Sequence, residues 1–101
     1  MSNIDNNLVL VLSHAIEQNK FADALAAVKG LPPVDLADVL EQLDPTLGWR
    51  LLECLPDRAD VFSYFEPEQQ VRMAREFPRA TLAELVSEMP ADERTDLFKR
   101  F

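Results

Sequence analysis

The sequence predicts an all-α fold, a helical repeat array, and three observations predict it. The first is a cassette of two apolar residues, two polar ones and a third apolar residue, often followed by proline. It reads Ala27-Val28-x-x-Leu31-Pro32, Val39-Leu40-x-x-Leu43, Leu51-Leu52-x-x-Leu55-Pro56 and Val61-Phe62-x-x-Phe65. It continues as Met73-Ala74-x-x-Phe77-Pro78, Leu85-Val86-x-x-Met89-Pro90 and Leu97-Phe98-x-x-Phe101, seven copies at a pitch of about 12 residues. The second is proline punctuation: Pro33, Pro45, Pro56, Pro67, Pro78 and Pro90 follow one another at intervals of 11 or 12. The third is that no stretch shows the period-two alternation of a strand. Arrays of this kind usually bind through surfaces rather than react in pockets.

The elements follow in order. Residues 4–19 predict one amphipathic helix, with Leu8, Val11, Leu12 and Ala15 recurring at three- and four-residue spacing. Asn19-Lys20 marks a turn. A second helix runs from about Phe21 to Lys29, with Phe21, Leu25 and Val28 on one side, and Gly30 is its stop. From there each proline is predicted to open a new helix, because proline is tolerated in the first turn and breaks the interior. Asp44 and Glu66 stand just before prolines, where an acid can cap a helix and complement its dipole. Thr81-Leu-Ala-Glu84 has the form of a capping box. Helices of about 8–10 residues are marginal alone in water, so stacking must hold them.

The repeat is double. Ala37-Asp38-Val39-Leu40 recurs as Ala59-Asp60-Val61-Phe62 and as Ala83-Glu84-Leu85-Val86. Between them lie Trp49-Arg50-Leu51-Leu52, Val71-Arg72-Met73-Ala74 and Thr95-Asp96-Leu97-Phe98. Residues 1–30 are thus two leading helices and residues 31–101 three pairs of short helices, all within one domain. Periodicity does not fix the hand of the stack. The last cassette stops in register at Phe101 with no polar cap, which predicts a piece of a longer protein, or else a small one that dimerises through this end.

Composition narrows the function. A chain of 101 residues with 48 % apolar residues is one domain with a small core. A net charge of −8 argues against nucleic acid, which needs clustered Lys and Arg. It allows a cationic partner or a metal ion, or serves solubility alone. The single cysteine, Cys54, forms no internal disulfide and reads as a small packing residue. Leu8 to Leu12 is too short for a secretory core or a membrane span. His14 stands alone on the first helix and reads as a surface or boundary residue. Trp49 and Tyr64 could anchor a partner, but packing is their default. No Cys/His set for zinc, Gly-rich phosphate loop or supported nucleophile is present, so an enzyme is not expected.

The charges are patterned on the repeat. The residue before each apolar doublet is Asp38, Asp60 and Glu84 in the first helices of the pairs, but Arg50, Arg72 and then Asp96 in the second. Asp96 breaks the basic row. Asp92 precedes it by four residues, so the two carboxylates share a helix face at a repulsive spacing, with Glu93 beside them. Acids here either complement the helix N-terminus or form half of a site for a hard cation. Mg²⁺ keeps several waters and takes one or two carboxylates directly, so a partner surface would supply the remaining oxygens.

These residues resemble a known family. Leu31-Pro-Pro-Val-Asp-Leu-Ala-Asp-Val-Leu-Glu-Gln-Leu-Asp-Pro45 is similar to the opening repeat of the cytosolic N-terminal domain of MgtE-type magnesium transporters. So is Leu55-Pro-Asp-Arg-Ala-Asp-Val-Phe-Ser-Tyr-Phe-Glu-Pro-Glu-Gln69, and Ala15-Ile-Glu-Gln-Asn-Lys-Phe-Ala-Asp-Ala-Leu25 resembles the helix-turn-helix that starts such domains. The resemblance implies a right-handed superhelix of short helices, followed by CBS domains and a dimeric magnesium channel in the bacterial inner membrane. It implies a regulatory role on the cytosolic side, with Mg²⁺ bound between acids of this domain and the CBS domains and favouring a closed pore. Asp60, Asp92 and Asp96 match the family's interface acids. Arg94 and Thr95 stand where the family often has leucine and alanine. The isolated domain would then offer a half-site of millimolar-class affinity. The competing resemblance is to the helical array of FliG, which would make the chain a protein-interaction scaffold with no metal role.

Overall fold

The computed structural model describes residues 6–100. These residues form eight helices and no strand: α1 Asn6–Glu17, α2 Phe21–Val28, α3 Pro33–Gln42, α4 Pro45–Cys54, α5 Arg58–Ser63, α6 Pro67–Glu76, α7 Arg79–Glu88 and α8 Ala91–Lys99. The predicted all-α class is correct. The start of the predicted first helix and Phe101 of the last cassette lie outside the described residues.

The cassette explains where helices end. Its third apolar residue is the C-cap of four of them: Leu43, Leu55, Phe77 and Met89, each with extended backbone. Three of these precede a proline, whose ring pushes the preceding residue out of the helical region. Each still buries its side chain, so one residue both stops a helix and fills the core. Proline then starts the next helix in two ways. Pro33, Pro45 and Pro67 occupy the first helical position, whereas Pro78 and Pro90 are extended N-caps.

Three local predictions need correction. Pro56 opens nothing directly; α5 begins two residues later and spans only six residues. Thr81 is not a cap, because Pro78 starts α7 earlier and leaves Thr81 inside it. Glu66 makes no side-chain cap; instead its N–H donates to Glu41 Oε1 of α3 at 3.3 Å. Asp44 does cap α4, accepting from the N–H (2.9 Å) and Oγ1–H (2.7 Å) of Thr46. Gly30 closes α2 with φ 89°, a conformation open to glycine without strain.

The helices stack by alternation. In one column α3 packs on α5 and α5 on α7; in the other α4 packs on α6 and α6 on α8. The α3–α4 and α4–α5 contacts join the columns, and α1 and α2 close one end against α4. The core runs between the columns and is made of the cassettes: Val39, Leu40, Leu51, Leu52, Val61, Phe62, Met73, Ala74, Leu85 and Leu97 are buried. The pattern frays at both ends. Ala27 is exposed, and Phe98, within the last helix α8, is 58 % exposed. In α1 the buried stripe is Leu12, Ala15 and Ile16, while Val11, predicted inward, is exposed along with Leu10.

Two further residues depart from expectation. Cys54 is exposed, at the last turn of α4, and its thiol donates to the Arg50 carbonyl at 3.4 Å. Tyr64, expected to pack, is 56 % exposed at the end of α5, because the core there is already filled by Phe62 and Phe65. Trp49 behaves as predicted, half-buried and edge-on to Phe77 at 6.1 Å.

Candidate functional site

The acids singled out by the sequence stand on two helices. Asp60 lies in the first turn of α5 and is exposed; its carbonyl accepts from Ser63 Oγ at 2.6 Å. Asp92 and Glu93 lie in the first turn of α8, where the helix dipole favours negative charge. Asp92 and Asp96 are both exposed, four residues apart on one face as predicted. Asp96 borders a cleft of about 290 Å³ between α8 and the α5–α6 connection, together with Glu93, Arg100, Gln70 and Ser63. Asp92 does not line it. The structure therefore brings Asp96 to the same cleft as Ser63, one turn after Asp60, but does not gather the three aspartates into one site. Among the described residues no three His, Cys, Asp or Glu side chains could hold a metal ion together.

This donor set bears on magnesium. The groups are hard oxygens, exposed, and present as one or two carboxylates on a face. That matches an ion that keeps most of its water and is completed from a second surface, and does not match a closed protein cage.

The surroundings of these acids were not visible at the level of motifs. Arg58 of α5 makes a bidentate pair with Glu88 of α7, Nε to Oε1 at 2.9 Å and Nη2 to Oε2 at 2.6 Å. It also lies 3.6 Å from Glu84 and donates to the Glu53 carbonyl at 3.3 Å. The hydrogen bonds from Arg58 hold the Glu88 carboxyl below the usual carboxylate range. The acidic row is thereby compensated at its third member, Glu84, and not at Asp60.

Of the basic row, Arg50 is committed inward, whereas Arg72 is exposed. Arg50 donates to Asn19 Oδ1 in the α1–α2 turn and lies 5.3 Å over the Phe21 ring. Asn19 holds φ 59°, a left-handed conformation that asparagine tolerates. Arg50 thus braces α4 against the leading helices. On α3, burial pushes the Glu41 carboxyl up, with Asp38 and Glu66 nearby adding to the rise. The bond from the Glu66 N–H opposes this.

The one buried polar side chain among the described residues is Gln70 of α6. Its Nε2–H donates to the Phe62 carbonyl of α5 at 3.0 Å, and its Oε1 accepts from Arg100 Nη1 at 3.0 Å. Sequence reasoning missed Arg58 and Gln70 alike. A signal existed: both stand three residues before an apolar doublet, where the repeat elsewhere has Leu36, Gly48, Leu82 and Arg94.

The remaining surface offers less chemistry. A groove of about 490 Å³ runs past Leu25, Val28, Leu31, Leu36 and Leu55, with Cys54 at its rim. Although Cys54 is exposed, partial desolvation of its sulfur, with Glu53 adjacent, pushes the thiol up, away from a nucleophilic thiolate. His14 is exposed beside Leu10 and Val11 in a shallow apolar depression.

Residues 31–101 match the model of the MgtE intracellular N domain. This chain belongs to that family. It is an intracellular N-terminal domain of the MgtE magnesium-transporter type, and that family is not an enzyme family. No curated protein and no solved structure matches the chain. No helix of the described residues is long and apolar enough to cross a membrane.

Proposed function

We propose that this domain senses intracellular Mg²⁺ for a magnesium channel of the MgtE type, through Asp60, Asp92 and Asp96. The observation that carries the reading is the distribution of compensation. Arg58 and Arg50 are tied to partners inside the array, while the carboxylates of α8 and Asp60 face solvent with no ion-pair partner among the described residues. Such faces repel another acidic surface until a divalent cation bridges them. Bound Mg²⁺ would hold this domain against CBS domains of the same polypeptide and favour the closed pore of a homodimeric channel in the inner membrane. A ligand shifts that equilibrium only by its differential affinity for the docked state. The isolated domain binds Mg²⁺ weakly, in the millimolar class, since it holds half a site.

The test is Mg²⁺-dependent closure in the full-length transporter. Asp60→Ala, Asp92→Ala and Asp96→Ala each move closure to higher Mg²⁺ concentration, by severalfold or more. If all three close at the wild-type concentration, these acids are not the sensor. The alternative, a FliG-like scaffold, gives unchanged closure in all three variants and is disfavoured by the family match.

A further inference from the structure

Asp96 and Arg100 are four residues apart at the end of α8, and Arg100 continues the helical backbone with φ −89° and ψ −12°. That spacing, with the acid on the N-terminal side, is the favourable arrangement for an intrahelical ion pair. Both residues border the same cleft. Yet the ion pairs of the described residues all belong to Arg58, and Arg100 donates instead to Gln70. A neutral amide has thus drawn a guanidinium away from a neighbouring carboxylate. It can do so because Gln70 is buried and fixed from behind by the Phe62 carbonyl, so its oxygen is oriented without further entropic cost.

We infer that Gln70 is a positioning residue that restrains Arg100 and so keeps the Asp96 carboxylate free for a divalent cation. The inference rests on the magnesium-sensing role proposed for Asp96. Freed from Gln70, Arg100 folds back on Asp96 and competes with the cation as an internal counter-ion. A bound cation and the Asp96–Arg100 pair are then mutually exclusive, and Gln70 sets the balance between them. Gln70 touches no ligand itself.

The experiment uses this chain, ¹⁵N-labelled, with Mn²⁺ as the paramagnetic probe, following line broadening at Asp96 and its α8 neighbours. Gln70→Met is close to isosteric and leaves the Phe62 carbonyl its bond from the Phe65 N–H. It should require about two- to fivefold more Mn²⁺ for the same broadening, the range expected from an exposed pair at this spacing up to a full contact in water. Gln70→Met with Arg100→Gln should return to the Arg100→Gln value, because the competitor is gone. A merely structural Gln70 gives no such rescue, so a double variant as weak as Gln70→Met overturns the inference. An unchanged Gln70→Met overturns it as well. Should Gln70→Met fail to fold, Gln70→Asn takes its place, being one methylene too short to hold Phe62 and Arg100 together, with the same expectations. Asp96→Asn separates the two levels. If it leaves the broadening unchanged, cation binding at Asp96 itself is wrong; if it abolishes it while the Gln70 variants behave as wild type, only the role of Gln70 falls.

Discussion

The two helix columns are tied by different chemistry. Between α5 and α7 the tie is an ion pair, Arg58 with Glu88 and Glu84. Between α6 and α8 it is a buried amide, Gln70, joined to Arg100. Both ties come from the same register position of the middle helix pair, three residues before the doublet. They differ in what they leave behind. The first neutralises the acids it touches, so the far end of its column is electrostatically closed. The second occupies a cation with a neutral group, so the acids of α8 stay uncompensated. One repeat position therefore fastens both columns. In the first it neutralises acids of α7, leaving Asp60 of α5 unpaired among the described residues, whereas in the second it leaves the α8 carboxylates unpaired.

The most damaging way to break the comparison is to remove what both columns share. Phe62 is fully buried, its ring lies 5.6 Å from Phe65 and 6.1 Å from Phe77, and its carbonyl receives Gln70. Phe62→Ala should cost about 3–5 kcal/mol, as large-to-small changes at fully buried aromatics do. Native domains have only about 5–15 kcal/mol in total, so urea unfolding should show either a collapsed midpoint or no cooperative transition. A loss under about 1 kcal/mol would mean that the columns hold together without this seam.

Removing the charged tie alone should cost less. Arg58→Met keeps much of the stem and deletes the guanidinium. Because Glu88 and Glu84 are partly solvated, the expected loss is only about 1 kcal/mol, or roughly 4–8 °C in Tm. The pH dependence distinguishes this from lost packing. Glu88 has a folded pKa below its ordinary 4.5, so its contribution is present above that value and is lost as pH falls through the folded one. The stability gap between wild type and Arg58→Met should therefore narrow as pH is lowered from 7 toward 3. A constant gap would assign the loss to packing.

These contrasts also show what was legible in the sequence. The cassettes gave the helices, their number in the repeat region and most of the core, because burial in a stacked array recurs with the chain's own period. Pro56 and Thr81 misled because a helix start depends on backbone geometry just upstream, as Pro78 shows for α7. Cys54 and Tyr64 misled because cassette membership does not say which face of a short helix is left uncovered. The acids were found as exposed residues, but their state was not, since Arg58 and Gln70 act across about thirty residues of sequence. Such long-range polar ties have no period. They register only as departures from one, an arginine or glutamine where the repeat elsewhere has mostly leucine or glycine.

Gly48 occupies that same register position in α4, and it carries the smallest prediction. A helix-interior glycine costs about 1 kcal/mol relative to alanine, so Gly48→Ala should be stabilising on propensity alone. Opposing this, an added Cβ would come within 2.9 Å of the Met73 ε-methyl and 3.4 Å of the Leu40 carbonyl. The methyl is the mobile end of a flexible side chain, yet Met73 is buried, so it yields only by disturbing its neighbours. The two effects should nearly cancel, leaving Gly48→Ala within about 0.5 kcal/mol of wild type in urea unfolding. Shortening the obstacle separates them. In a Met73→Leu background the ε-methyl is gone, and adding Gly48→Ala should then stabilise by up to about 1 kcal/mol, the full propensity gain. If alanine costs the same in both backgrounds, the limit is set by the Leu40 carbonyl, at the close approach of α4 to α3. The array would then need glycine here for the backbone spacing between its two columns rather than to make room for one methionine.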